Sequence, residues 1–304
     1  MASSEAAPTP TAGPRLPAWI RTRPAAGARF EGVRALLDGL GLGTVCREAH
    51  CPNLSECWGA GTATLMLLGT ECTRRCSFCA VQTHWPRGVV DPTEPDRVAR
   101  AVAAWGLRYV VLTQVCRDDL ADGGAAALAE TVRRLREAAP ATKVELLIGD
   151  LGGDEAALRR LLDDPPDVLA HNVETVRSVS AAVRDRRAGY DRSLGVLAAA
   201  RRFGPARLVL KSSIMLGLGE SDREVDQTLD DLRASGVDLV TFGQYLRPSP
   251  AHAPVVRFAP PEEFDAWRRR ALERGFAGAE AGPLVRSSYH AEALFDRAIA
   301  RREE

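Results

Sequence analysis

The sequence predicts an α/β chain folded as a partial (β/α)6 barrel, TIM-like, with N- and C-terminal extensions. Three observations predict it. Short runs at residues 65–68, 109–113, 143–148, 167–171, 208–214 and 239–242 are too uniformly apolar to be half exposed, the pattern of parallel strands covered on both faces. Between them lie stretches with the 3.6-residue period of amphipathic helices. The span 61–260 suits six such units, because a closed eight-fold barrel needs about 250 residues.

Taken in chain order, residues 1–28 read as a disordered tail. The first fifteen are rich in Ala, Pro, Ser and Thr, with neither the apolar core of a secretory signal nor an Arg-rich amphipathic pattern. An N-terminal extension follows over 29–60. Its short helix, 29–42, carries Phe30, Val33, Leu36 and Leu37 on its apolar positions, and Gly39, Gly41 and Gly43 break it before a cysteine-bearing loop. In the barrel, Val98, Ala101, Val102 and Trp105 form one helical stripe, and Leu128, Val132 and Leu135 another. A third helix opens on a capping box, Ser221 with Glu224, carries Val225, Thr228, Leu229 and Leu232, and stops at Gly236. Residues 261–304 form the C-terminal extension.

Forty basic residues balance forty acidic ones among 304, so no global field draws nucleic acid or a membrane surface. No apolar run approaches the ~20 residues of a membrane span. A cytoplasmic protein without nucleic-acid or membrane partners is expected. Its cysteines stand at 46, 51, 57, 72, 76, 79 and 116. Disulfide frameworks belong to small secreted domains, so thiols clustered like these point to metal.

Cys72, Cys76 and Cys79 follow the first strand with the spacing C-x3-C-x2-C and an aromatic, Phe78, before the last. Three thiolates on one loop hold three corners of a [4Fe–4S] cubane and leave the fourth iron open. That is the signature of a radical S-adenosylmethionine (SAM) enzyme: SAM chelates the open iron, and an electron breaks its carbon–sulfur bond to make a 5′-deoxyadenosyl radical. The loop's place after a strand fits the C-terminal face where barrels keep their active sites. The alternative, structural zinc, wants four ligands, usually as two pairs; no Cys-x2-Cys partner pair exists elsewhere, and His84 is the nearest spare donor.

Cys46, Cys51 and Cys57 form a second triplet, C-x4-C-x5-C. With it, the stretches Asp118-Asp119-Leu120, His171-Asn172-Val173-Glu174-Thr175, Met215-Leu216-Gly217-Leu218-Gly219-Glu220, Gly243-Gln244-Tyr245-Leu246 and Arg286-Ser287-Ser288-Tyr289 resemble the lipoyl synthases over residues 17–292. The resemblance implies an enzyme that inserts two sulfur atoms, at C6 and C8, into an octanoyl group on a lipoyl-carrier protein domain. It implies two [4Fe–4S] clusters, the second sacrificed as sulfur donor on Cys46, Cys51, Cys57 and a serine placed at Ser288, with Ser287 as the alternative. Without the resemblance, Ser287-Ser288 reads as the cap of a following helix. It also implies a flavodoxin- or ferredoxin-type reductant and an iron–sulfur carrier protein.

For SAM itself the candidates are Phe78, Asn172, Glu174, Lys211 and Gly217. Phe78 lies against the adenine or simply packs in the core. Asn172 and Glu174, at the fourth strand's end, reach the ribose or form a plain turn. Gly217 leaves room for the nucleoside, though glycine at a strand end is common. Lys211, with Arg247, meets SAM's carboxylate or the carrier. Asp118, Asp119 and Asp122 take SAM's ammonium or sit solvated at a helix start, and Cys116 has no assigned role. Two stretches depart from the family's pattern, 148–153 and 250–253, and are expected to line the substrate or carrier surface. The runner-up reading is a dual-cluster radical-SAM sulfurtransferase with a different acceptor. A tRNA-modifying relative would bring an RNA-binding domain, and an iron–sulfur storage scaffold has no use for an open-iron loop.

Overall fold

The computed structural model describes residues 16–21, 27–60 and 62–303. The tail expected over 1–15 lies outside them; within the rest of the expected tail, Ile20 is buried and the first helix already begins at Ala28. That helix, α1 (Ala28–Gly39), turns Phe30, Val33 and Leu37 inward. A short edge strand β1 (Gly43–Thr44) then leads into two helical turns, α2 (Val45–Glu48) and α3 (Leu54–Gly59). The first cysteine group was expected in a loop. Cys46 and Cys57 stand instead on α2 and α3, because the Thr44 side chain caps the Arg47 N–H and starts a turn.

The barrel begins with β2 (Thr64–Leu67), followed by a small parallel pair, β3 (Glu71–Cys72) and β4 (Gln82–Thr83), that brackets the second cysteine loop. Alternating units follow: α4 (Glu94–Trp105), β5 (Tyr109–Gln114), α5 (Ala125–Ala138), β6 (Lys143–Leu147), α6 (Glu155–Leu162), β7 (Val168–Ala170), α7 (Arg177–Val183), α8 (Tyr190–Phe203), β8 (Val209–Leu216), α9 (Asp222–Ala234) and β9 (Leu239–Gln244). The C-terminal part supplies α10 (Pro261–Glu273), β10 (Gly278–Gly282) and α11 (Ala291–Glu303).

All six expected strands pair in parallel in the order β2-β5-β6-β7-β8-β9. Two strands extend this sheet: β1 lies antiparallel outside β2, and β10 lies parallel outside β9. The last was not expected, since Gly278-Ala-Glu-Ala-Gly has no β-branched or aromatic residue; it is a strand because β9 offers it a free edge. Burial follows the period-2 rule along β5. Val110 and Leu112 turn outward into the core under α4, α5 and α6, while Tyr109 and Val111 turn inward with Val168, Val209 and Leu239. The inward layer is capped by Leu294, Phe295 and Ala298 of α11. The helical stripes are buried as expected except Trp105, which is half-buried, and the Ser221–Glu224 capping box is formed. No helix among the described residues is long and apolar enough to cross a membrane.

Candidate functional site

The loop bearing Cys72, Cys76 and Cys79 is tied down along its length. Arg74 is buried and forks onto Asp118 (2.7 Å) and Asp150 (2.6 Å), linking the loop to the ends of β5 and β6. The Thr73 hydroxyl donates to Asp118, the Ser77 N–H to the Val183 carbonyl, and the Ala253 N–H to the Ser77 carbonyl. His252 Nε2 sits 3.1 Å from the Cys79 carbonyl. Two backbone N–H groups point at sulfur, Arg74 to Cys72 (3.4 Å) and Asp185 to Cys76 (3.3 Å). Such donors hold a thiolate in place and stabilise its charge.

Burial pushes the Cys79 thiol up to about 12 and raises Cys76, with their neighbouring sulfurs adding to the shift. Cys72 moves down, because the Cys116 thiol donates to it and the Arg74 N–H adds a second donor. Near the loop, Glu174 adopts φ 71° and bridges to Ile214; burial raises its carboxyl, against Arg184 and Asn172. Phe78 is half-buried against Val183, Leu218 and Tyr245.

The first triplet lines a cavity of about 420 Å³ inside the open side of the sheet. Cys46, Cys51 and Cys57 line it together with Arg286, Ser287 and Ser288, while inward residues of the barrel strands and Asn172 complete it. Two clasps hold the walls together: Asn53 Nδ2 donates to the Leu284 carbonyl (2.6 Å), and the Tyr289 hydroxyl to Glu56 (2.8 Å). Burial raises all three thiols, Cys57 to about 12 with Cys46 and Cys51 adding to it. The two serines differ. Ser287 donates to Asn172 Oδ1 (3.1 Å), whereas Ser288 has no protein partner among the described residues. Desolvation pulls the pKa of Arg286 down, and the charge on Cys51 opposes that. The residue is half-buried and its Nη1 donates to the Val285 carbonyl (2.7 Å), but no carboxylate pairs with it among the described residues. Gly243 makes this possible, since a Cβ there would overlap the Val285 carbonyl and crowd Arg286.

The donor sets suit two clusters. Among the described residues no three His, Cys, Asp or Glu side chains gather tightly enough for a single ion, whereas a cubane takes each ligand at a separate corner. His84, the spare zinc donor, is exposed. Of the six triplet thiols, the five whose pKa is raised, all but Cys72, also fit sites that release protons as metal binds.

Comparison with known proteins agrees. The Radical SAM superfamily model matches residues 66–232. Lipoyl synthase from Thermus thermophilus is 52% identical over 285 residues, covering 94% of this chain and 88% of its own length. That from Symbiobacterium thermophilum is 53% identical over 288 residues, covering 95% and 89%. The chain belongs to the lipoyl synthase family. As a member it is a radical-SAM enzyme of sulfur insertion, with SAM and [4Fe–4S] clusters as cofactors. Among solved structures, Streptococcus suis SuiB (TM-score 0.53, 9% identity, 75% of this chain and 52% of that one) shares the fold. So does methylornithine synthase PylB (0.51, 18%, 64% and 56%).

Several expectations for individual residues need correction. Lys211 does not face a ligand: it is fully buried and paired with Glu145 at 2.8 Å, because an ammonium inside the barrel must find a carboxylate. At Gly217 (φ 101°) the Gln244 side chain and the Arg257 carbonyl already occupy the space a Cβ would fill, which by itself accounts for glycine there. Arg247 donates to the carbonyls of Pro250 and His252 in its own loop. Asp118 and Asp119 are ion-paired with Arg74 and Arg117 rather than solvated, and Asp122 caps α5. In the two divergent stretches, Asp150 and His252 both hold the cysteine loop, while Gly152, Gly153, Pro250 and Ala251 are exposed. The sequence reading missed Arg286, Asn53, Asp150 and Asp185. Arg286 lay inside a motif already singled out, and the others carry no local signal.

Proposed function

We propose that Cys72, Cys76 and Cys79 hold the SAM-binding cluster, and that Cys46, Cys51, Cys57 and Ser288 hold the auxiliary one. The acceptor is an octanoyl group on a lipoyl-carrier domain, which receives sulfur at C6 and C8. One observation carries the reading: a single cavity is lined by the first cysteine triplet, an unpartnered serine hydroxyl and the apolar inner face of the barrel. Bound at these residues, SAM and its cluster supply the one-electron chemistry that activates an unreactive C–H bond, and the auxiliary cluster supplies the sulfur. The protein's own part is placement. Arg74, His252 and the Asp185 N–H fix the loop at the barrel mouth. Asn172 and Glu174 stand beside it to receive SAM's polar groups, and Phe78 shields the site. Ser288 is the weak point of its ligand set, because a hydroxyl suits this iron less well than a thiolate and yields first.

The span 61–260 forms the catalytic barrel, and 29–60 and 261–304 close its open side. A flavodoxin- or ferredoxin-type reductant, an iron–sulfur carrier protein and a cytoplasmic setting complete the proposal; reduced, metal-binding thiols require a reducing compartment. The test is anaerobic reconstitution with SAM, a reductant and an octanoyl-lysine peptide. Mass spectrometry should show one and then two added sulfurs. Radical formation without thiolated octanoyl product, despite a loaded auxiliary site, would instead favour a different acceptor.

A further inference from the structure

Tyr109, which lines the cavity, belongs to a buried polar triad that the chemistry above does not use. Tyr109, Val111 and Thr113 alternate along β5 and all line the cavity, so it runs along the strand from its C-terminal end down to Tyr109. The Tyr109 hydroxyl donates to Glu145 Oε2 at 2.7 Å, and Lys211 Nζ donates to both Glu145 oxygens at 2.8 and 3.0 Å. Lys211 is 0% exposed and Glu145 1%. Phe295 of α11 packs on the Tyr109 ring with centroids 5.7 Å apart. An aliphatic side chain at this depth could change rotamer and let a ligand pass. The Tyr109 ring is held from two sides, by the carboxylate of a buried ion pair and by Phe295, and forms a rigid stop.

The dimensions suit a chain-length limit. Four residues of strand separate Thr113 from Tyr109, about 13 Å at the usual rise. An extended octanoyl chain has seven carbon–carbon bonds and spans roughly 9 Å, whereas a dodecanoyl chain, with eleven, spans roughly 14 Å. Resting on the octanoyl-acceptor reading above, we propose that Tyr109, tethered by Glu145 and Lys211, is the specificity-determining residue that sets the longest acyl chain the enzyme accepts. Acyl-lysine peptides of six to twelve carbons, compared by kcat/KM for 5′-deoxyadenosine formation, test this. The wild type should prefer octanoyl to dodecanoyl, since one methylene in an apolar pocket is worth about 10- to 200-fold. Tyr109→Ala should shrink that preference at least about tenfold, while Val111→Phe, which raises the floor, should move the optimum to a shorter chain. Should Tyr109→Ala not fold, as judged by circular dichroism, Val111→Phe decides alone. Well-folded variants that both keep the wild-type profile would overturn the proposal. A wild-type enzyme that thiolates no octanoyl peptide would overturn the acceptor reading instead.

Discussion

Among the described residues the Ser288 hydroxyl has no hydrogen-bond partner, while its neighbour Ser287 is spent on Asn172. Ser288→Ala should therefore leave SAM cleavage intact and lower sulfur transfer, whereas Ser288→Cys should keep a cluster but slow its breakdown. Both effects are read by comparing 5′-deoxyadenosine with thiolated product; unchanged sulfur insertion in both variants would shift the assignment to Ser287 or remove it. His171 shows a second consequence of burial. Its ring lies between the Ile148 carbonyl (2.9 Å) and the Ser193 hydroxyl (2.8 Å), and Arg184 donates to the same hydroxyl. Ser193 accepts from Arg184, so it donates to Nε2, and the neutral Nδ1–H donates to Ile148. Burial, with Arg184 nearby, holds its pKa down to about 4 against an ordinary value of 6.5. The unfolded chain then binds a proton that the folded one refuses between those values, so stability falls as pH drops from 6.5 towards 4. The loss is on the order of 3 kcal/mol. Denaturation midpoints of His171→Gln across that window should vary less with pH than the wild type's.

The two cysteine elements are separate pieces of structure, and so should fail separately. Cys76→Ala removes a ligand from the loop at the barrel mouth, and no 5′-deoxyadenosine should form. Cys51→Ala alters only the helical turns of the extension, so 5′-deoxyadenosine should appear without thiolated product. A well-folded Cys51→Ala protein that inserts sulfur normally would defeat the donor assignment. The mouth loop also depends on the ion pair beneath it. Asp150→Ala leaves a buried Arg74 with Asp118 alone, and breaking buried pairs costs up to about 3–5 kcal/mol. Chemical denaturation should register a loss of that order, with SAM cleavage falling as the loop loosens. The part that Asp150 and His252 play was not legible in the sequence: there they are loop residues remote from the cysteines, and only folding brings them against the loop.

At the scale of the molecule, two clusters require about eight irons and eight sulfides per chain, against about four of each for one. Anaerobically reconstituted protein analysed for iron and sulfide should give the higher count, and a saturated value near four would remove the auxiliary cluster. The auxiliary site exists only when residues 45–62 meet residues 284–293 across the open side of the sheet, through Asn53–Leu284 and Glu56–Tyr289. The sequence by itself determined the six parallel strands, their helices and both cysteine triplets. Apolar runs and ligand spacing are local properties, written in consecutive residues. Which serine is free, where Arg286 sits, and that β10 is a strand were decided by tertiary structure, because each depends on a partner far along the chain. Lys211 makes the same point. A lysine in an apolar strand reads as a ligand-binding cation until folding places Glu145 against it, and the low polarity around the pair then commits both charges to each other.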